Sequence, residues 1–193
     1  MAYSASRKIL LRIDKSPTYI WNNLASSGES LAWAHNDSVV VLRGAAWDAR
    51  TESSAATLEC LIASKSGAHV TSLAWVPLAR GAHVLAATTH EEFVVFSSTG
   101  NSIVLSTSVR ALPADILRER APAEHFFRGI AALRAFDVIL VGTSWGDVLA
   151  WCINSVGAIL IGGLSGGGSN AQVASVLRGA HTAPIVAITT DDK

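Results

Sequence analysis

Residues 138–151 read VILVGTSWGDVLAW, and this stretch decides how the rest of the chain is interpreted. Two apolar runs, VILV and VLAW, flank a turn that contains Gly142-Thr143-Ser144 followed by Trp145-Gly146. Short apolar runs separated by turn residues are typical of paired strands. The stretch therefore predicts a β-hairpin with Trp145 at its tip.

Two earlier segments have the same form as this hairpin. SLAWAH leads through Asn36-Asp37 into SVVVLR, and HVLAATT leads through His90-Glu91 into EFVVFSS. The three tips lie 54 and then 55 residues apart along the chain. A hairpin that returns at a nearly constant interval indicates an internal repeat.

Histidines mark the same repeat independently. His69, His125 and His181 are separated by 56 residues each, and an apolar pair follows each of them at the same offset. We expect these three side chains to lie at equivalent positions and to make structural hydrogen bonds to a neighbouring turn. A shared metal site is disfavoured, because equivalent positions in successive repeats do not converge on one ion.

Each repeat contains four short apolar segments divided by turn residues. Strands are predicted near 70–76, 83–89, 92–97 and 102–107, and then near 127–133, 137–143, 147–153 and 158–162. Four short antiparallel strands per unit, repeated around an axis, indicate the blades of an all-β propeller. We expect a partial propeller of three to three and a half blades: a first blade region at 1–62, a second blade at 67–108, a short helical insert at 109–124, a third blade at 125–178 and the start of a fourth at 179–193.

The segment GTSWGDVLAW resembles the consensus of the WD-repeat family. Gly146 and Trp151 match that consensus, whereas Cys152 stands where Asp is usual and Trp145 stands where the turn Asp is usual. The resemblance implies a seven-bladed, WD40-like propeller that acts as a platform for other proteins. In strong WD repeats Asp, His, Ser and Trp form a hydrogen-bonded set, and here only Trp151 and His125 fit it. We therefore expect weaker bracing within the blade.

The number of blades raises a question of closure. Three blades and the start of a fourth leave blade faces and strand edges without neighbours. The chain is expected to be a fragment of a longer propeller. Alternatively, it closes a ring by self-association or with blades from another chain.

Composition disfavours several classes of function. Fifteen Lys and Arg balance fifteen Asp and Glu, so no basic excess points to nucleic acid. The uncharged run from Val148 to Leu177 is divided by Asn154-Ser155-Val156-Gly157, which favours strands over a membrane helix. With two cysteines, no disulfide framework is indicated, and we expect a cytoplasmic setting. The resemblance also allows ciliary or cytoskeletal association.

No cofactor, metal or catalytic constellation is predicted, so the chain is expected to be a non-catalytic scaffold that binds protein partners. Three tip residues are the candidate partner contacts: Asn36, His90 and Trp145. An exposed Trp145 would be a favourable anchor, and the alternative is that its ring packs locally. Five residues are expected to be structural: His69, His125, His181, Trp151 and Gly146.

Overall fold

The computed structural model describes residues 23–28, 30–43, 57–63, 66–79, 81, 83–97, 103–117, 125–153, 175–185 and 187–190. Their strands form three antiparallel sheets of four strands each, and within every sheet the neighbouring strands are consecutive in the chain. This is the meander expected of a propeller blade. The predicted fold class, a partial all-β propeller, is confirmed.

The strand bounds follow the repeat. Sheet 1 contains β1 (Leu24–Ser27), β2 (Ser30–His35), β3 (Ser38–Arg43) and β4 (Thr57–Ile62). Sheet 2 contains β5 (Val70–Pro77), β6 (His83–Thr89), β7 (Glu92–Phe96) and β8 (Ile103–Ser108). Sheet 3 contains β9 (Phe127–Leu133), β10 (Val138–Thr143), β11 (Val148–Cys152) and β12 (Ser175–Leu177).

Sheet 2 is buried on both faces because it lies between the other two sheets. Along β6, Ala86 packs in a core shared with sheet 3, whereas its neighbours Leu85 and Ala87 pack in a core shared with sheet 1. Successive side chains of a strand point to opposite faces, so a continuous apolar run such as VLAA is needed here.

The first strands of the three sheets lie beside one another. β5 contacts both β1 and β9, and the Thr71 hydroxyl donates a hydrogen bond to the Phe127 carbonyl oxygen across the β5–β9 boundary, at 3.1 Å. Adjacent first strands are the radial arrangement that propeller blades adopt around their axis.

The fourth strand of sheet 3 and the insert after sheet 2 are the two elements whose predicted form can be compared with the structure only in part. The fourth strand of the third unit was expected near 158–162, which lies outside the described residues; the fourth strand of sheet 3 is Ser175–Leu177. The 109–124 insert was expected to hold one short helix, and its described part holds a 3₁₀ helix at Val109–Ala111 and then a turn at 113–117. Pro113 opens that second turn by accepting the N–H of Ile116 at 2.9 Å.

Val148–Cys152 is a strand, in agreement with the preference for strands over a membrane helix in this region. Among the described residues, no helix has the length and the apolar composition that a membrane crossing requires.

Candidate interaction surface at the blade tips

The turns between the second and third strands lie at one end of each sheet, which we call the tip face. These turns are residues 36–37, 90–91 and 144–147. In the first of them Asn36 has a φ of 53°, a left-handed conformation that Asn tolerates and that two-residue hairpins favour. The first two tips are the tight hairpin turns that the sequence predicted.

The chain that leaves each blade is hydrogen-bonded to the tip of that blade. In sheet 1, Ala63 N–H donates to the Asp37 carbonyl at 2.9 Å, and Val70 N–H donates to the Asn36 carbonyl at 2.7 Å. In sheet 2, Val109 N–H donates to the Glu91 carbonyl at 2.8 Å. These main-chain bonds join the tips and the inter-blade connections into one continuous surface.

Sheet 3 has a connection of this kind through a side chain, in addition to the main-chain bond from the His181 N–H to the Gly146 carbonyl. Asp147 is fully buried, and its Oδ1 accepts the N–H of Gly179 at 2.7 Å. Its Oδ2 accepts the indole N–H of Trp145 at 3.0 Å. One carboxylate side chain therefore holds both the tip and the chain that leaves the blade.

Thr143 supports Asp147 from the other side of the turn. The Thr143 hydroxyl accepts the N–H of Asp147 at 2.9 Å, and the Thr143 N–H donates to the Asp147 carbonyl at 3.0 Å. Sequence reasoning missed this pair. The spacing of Thr143 and Asp147 could have predicted it, because a Thr and an Asp on either side of a turn can each accept hydrogen bonds from N–H groups of the turn.

Trp145 is not an exposed anchor, and that expectation is corrected here. Its side chain is 1% exposed, and its ring meets the His125 ring edge-on, with the ring centroids 5.2 Å apart. The tip has four residues instead of two, so the indole can fold back beneath it. The Asp147 carboxylate then satisfies the indole N–H, which allows the whole ring to be buried. The alternative of local packing is the correct one.

Gly146 allows the next segment of chain to approach this tip closely. Its φ is 88°, and a Cβ added there would lie 1.9 Å from the His181 carbonyl oxygen. The His181 N–H in turn donates to the Gly146 carbonyl at 3.0 Å. Only glycine fits both the backbone conformation and the contact.

Trp151 lies between sheets 2 and 3. It is fully buried, and its ring centroid is 4.7 Å from that of Phe93 on β7 and 6.1 Å from that of Phe127 on β9. Among the described residues its indole N–H has no hydrogen-bond partner. Its contribution here is therefore packing, and in the described structure the hydrogen-bonded Trp of this blade is Trp145.

The three evenly spaced histidines each precede the first strand or first extended segment of a repeat, but their surroundings differ. His69 is exposed immediately before β5, His125 is buried beside Trp145, and His181 is exposed. The His181 Nδ1 accepts the N–H of Ala183 at 3.1 Å, within its own turn.

His90 and Asn36 are at the surface of the tip face. Asn36 is half-buried, whereas His90 is exposed, with one side of its ring against Phe126 at a centroid distance of 5.5 Å. This partial burial lowers the pKa of His90 from its ordinary value of 6.5, and the nearby positive charges of His69 and Arg128 lower it further. Of the three predicted partner contacts, His90 is the one most accessible to another molecule.

The residues GTSWG at 142–146 match the Gly-x-Ser-x-Gly spacing of a hydrolase nucleophile turn. In that motif the serine is exposed on a strand-to-helix turn. Here Ser144 is 3% exposed on a strand-to-strand turn, and its hydroxyl accepts the N–H of Phe126 at 3.0 Å. Ser144 therefore helps to hold the tip. Within the described ranges, no three His, Cys, Asp or Glu residues are grouped as metal ligands.

Comparison with known proteins bears on the fold. No protein-family model matches the chain, and no curated protein matches it. A chain in the solved structure entitled "Crystal Structure of Mitotic Checkpoint Complex" is similar, with a TM-score of 0.57 and 13% identity, over 100% of this chain and 50% of that one. The present chain thus spans about half the length of the chain it matches. The likeness is one of fold, and together with the three four-stranded sheets it supports a partial β-propeller.

Proposed function

We propose that this protein is a non-catalytic scaffold of the WD-repeat type that binds protein partners through its tip face. The observation that carries the proposal is the set of bonds from each tip to the chain that leaves its blade. Turns held in this way form a surface whose shape is set before a partner arrives, which lowers the entropic cost of binding.

The insert after sheet 2 extends this surface. Leu112 and Ile116 are buried in the core between sheets 2 and 3, whereas Arg110 and Asp115 are exposed. Asp115 also pairs with Arg178, at 3.1 Å between the guanidinium nitrogen and the carboxylate oxygen. The insert is thus attached at its apolar side and presents polar groups to solvent, as the rim of a protein interface does.

Site-specific cross-linking tests the proposal. A photoreactive amino acid replaces His90 on the tip face in one variant and His83, which is exposed at the opposite end of the same strand β6, in the control. In cells we expect discrete protein adducts from position 90 and none of the same mass from position 83. Identical adducts from both positions, or none from either, would contradict a binding role for the tip face.

A relationship to one particular WD-repeat protein is part of the same proposal. Residues 125–151 (HFFRGIAALRAFDVILVGTSWGDVLAW) and 176–188 (VLRGAHTAPIVAI) resemble WD repeat-containing protein 54. We propose that the chain corresponds to the N-terminal half of such a protein and that it acts in the cytoplasm, with ciliary or cytoskeletal association. A fluorescent fusion of the full chain, imaged with ciliary and microtubule markers, tests the location.

A second candidate is an assembly subunit that completes a ring with another copy or with blades from another chain. It is favoured by two exposed leucines on edge strands, Leu24 of β1 and Leu177 of β12, which are 60% and 64% exposed. Exposed apolar edge strands are common sites of strand pairing. Light scattering during size exclusion tests this candidate: it requires a dimer or larger species, and Leu177→Lys should shift that species towards monomer.

A further inference from the structure

Three basic side chains from separate segments converge on the tip face where sheets 2 and 3 meet. In the β5–β6 pair, Val70 lies opposite Thr89, so the residues just beyond this pair, His69 and His90, are neighbours. The bond from Thr71 to the Phe127 carbonyl brings the start of β9, and with it Arg128, alongside the start of β5. We call His69, His90 and Arg128 the basic cluster.

The basic cluster is a local excess of basic side chains. None of its members forms an ion pair with a carboxylate of the described residues, and the adjacent Glu91 already faces Arg110 at 3.5 Å. His69 and Arg128 each act electrostatically on His90 and disfavour its protonated form. The whole chain has no net charge, so this excess is a property of the site and not of the composition.

Apolar contact is available at the same place. The Phe126 ring meets the His90 ring nearly edge-on, at an interplanar angle of 69°, and Phe126 is half-buried. A ligand that reaches the three basic side chains also reaches this ring. Arg128 can hold a carboxylate with two parallel hydrogen bonds, and each imidazole adds an N–H donor.

We propose that the basic cluster docks an acidic, carboxylate-rich segment of a protein partner. This inference rests on the proposed scaffold function and names the chemistry of the partner. One guanidinium and two imidazole N–H donors grouped beside an aromatic ring match a short run of Asp or Glu. An extended nucleic acid would require a basic stripe and a net positive domain, and the composition shows no such excess.

The test uses the full chain and two labelled peptides, ten glutamates and ten glutamines, measured by fluorescence anisotropy at low salt. We expect the glutamate peptide to bind and the glutamine peptide not to bind. Because exposed charges are screened, raising the salt from about 50 to about 300 mM should weaken binding at least about threefold.

Matched variants locate the interaction. Arg128→Gln and His90→Gln should each weaken binding of the glutamate peptide at least about fivefold. Arg134→Gln and His83→Gln remove exposed groups at the other end of β9 and of β6, and they should leave binding unchanged. His69→Gln is a further variant on an exposed position, so it tests the cluster even if Arg128→Gln unfolds.

The inference is overturned if the glutamate peptide does not bind, if the glutamine peptide binds equally well, or if the control variants weaken binding as much as the cluster variants. Tighter binding of a ten-nucleotide single strand would also overturn it in favour of nucleic acid. If the peptide fails but position 90 still yields protein adducts, the acidic partner is excluded and the scaffold stands. If the peptide binds but no adduct forms, the scaffold itself is contradicted.

Discussion

At the scale of single residues, Asp147 links the third tip to the chain that follows sheet 3. Its carboxylate is fully buried and accepts one side-chain N–H and one main-chain N–H from groups that are far apart in sequence. Removing a buried acceptor of this kind lowers the free energy of unfolding, because both donors are then left without a hydrogen-bond partner.

Asp147→Ala should destabilise the protein by about 3 kcal/mol, since the Trp145 and Gly179 donors would both be left unpaired. The control is Asp115→Ala, which removes an exposed ion pair and should cost less than about 1 kcal/mol. Urea unfolding of both variants checks the prediction. Equal costs would show that Asp147 does not hold the tip.

Gly146→Ala should destabilise the protein by more than about 2 kcal/mol, because the added Cβ meets the His181 carbonyl and the φ is positive. Gly81→Ala separates the two effects. Gly81 has a similar φ of 82°, but a Cβ there has nothing within 4 Å, so that variant reports backbone strain alone. Thermal melting of the pair should place Gly146→Ala clearly lower, and coincident melting temperatures would contradict the steric argument.

The lowered pKa of His90 predicts how its contribution to stability depends on pH. The folded state binds the proton more weakly than the unfolded state, whose value is near 6.5. The contribution is therefore fully present above pH 6.5 and is lost as the pH falls through the lower folded value. The difference in urea midpoint between wild type and His90→Gln should change in that direction between neutral and acidic buffer. A difference that moves the opposite way would mean that His90 is stabilised as a cation.

At the scale of elements, residues 181–185 and 187–190 lie against sheet 3 as the first strand of another blade would. Ile185 N–H donates to the Thr143 carbonyl at 3.0 Å, and the Thr190 hydroxyl donates to the Ala132 carbonyl at 2.6 Å. Gly142 leaves room for these residues, because a Cβ at that position would lie within 2.4 Å of the Ile185 side chain and 2.5 Å of the Arg128 carbonyl oxygen on β9.

Gly142→Ala should therefore displace Ile185 and the residues around it from sheet 3 while β10 and β11 remain paired. Hydrogen exchange measured by mass spectrometry should show faster exchange at Ile185 in this variant, with little change at Leu140. Ala150→Gly, on the adjacent strand β11, is a control for a small change of volume in the same sheet. Unchanged exchange at Ile185 would show that the segment is not held by this close approach.

At the scale of the whole molecule, the two cores between the sheets differ in their side chains. Phe93, Phe127, Trp145 and Trp151 fill the core between sheets 2 and 3. The core between sheets 1 and 2 is built mainly from Ala and Val. Large aromatic side chains bury more apolar area each, so the boundary between sheets 2 and 3 should resist opening more strongly than the boundary between sheets 1 and 2.

Sheet 1 should accordingly open before sheets 2 and 3. Native-state hydrogen exchange in low urea should give smaller opening free energies for β2 and β3 than for β6 and β10. Phe93→Leu, which trims the aromatic core, should reduce that difference. Equal opening energies for all four strands in wild type would mean that the three sheets unfold as one unit.

The sequence by itself determined most of the strands, the repeat and two of the three tips. In sheets 2 and 3, seven predicted strands begin and end within about one residue of the observed ones, because alternating apolar residues and turn residues act locally. It also placed His90 in the second hairpin tip and Gly146 in the third. The tips at Asn36-Asp37 and His90-Glu91 needed no distant partner to be recognised.

Only the tertiary structure decided which tip side chains are buried. Trp145 is hidden because Asp147 satisfies its indole, and Asp147 can be buried because Gly179, from a distant part of the chain, also donates to it. The basic cluster likewise depends on β5 and β9 lying side by side. Contacts between residues far apart in sequence set burial and charge, and no local pattern of residues encodes them.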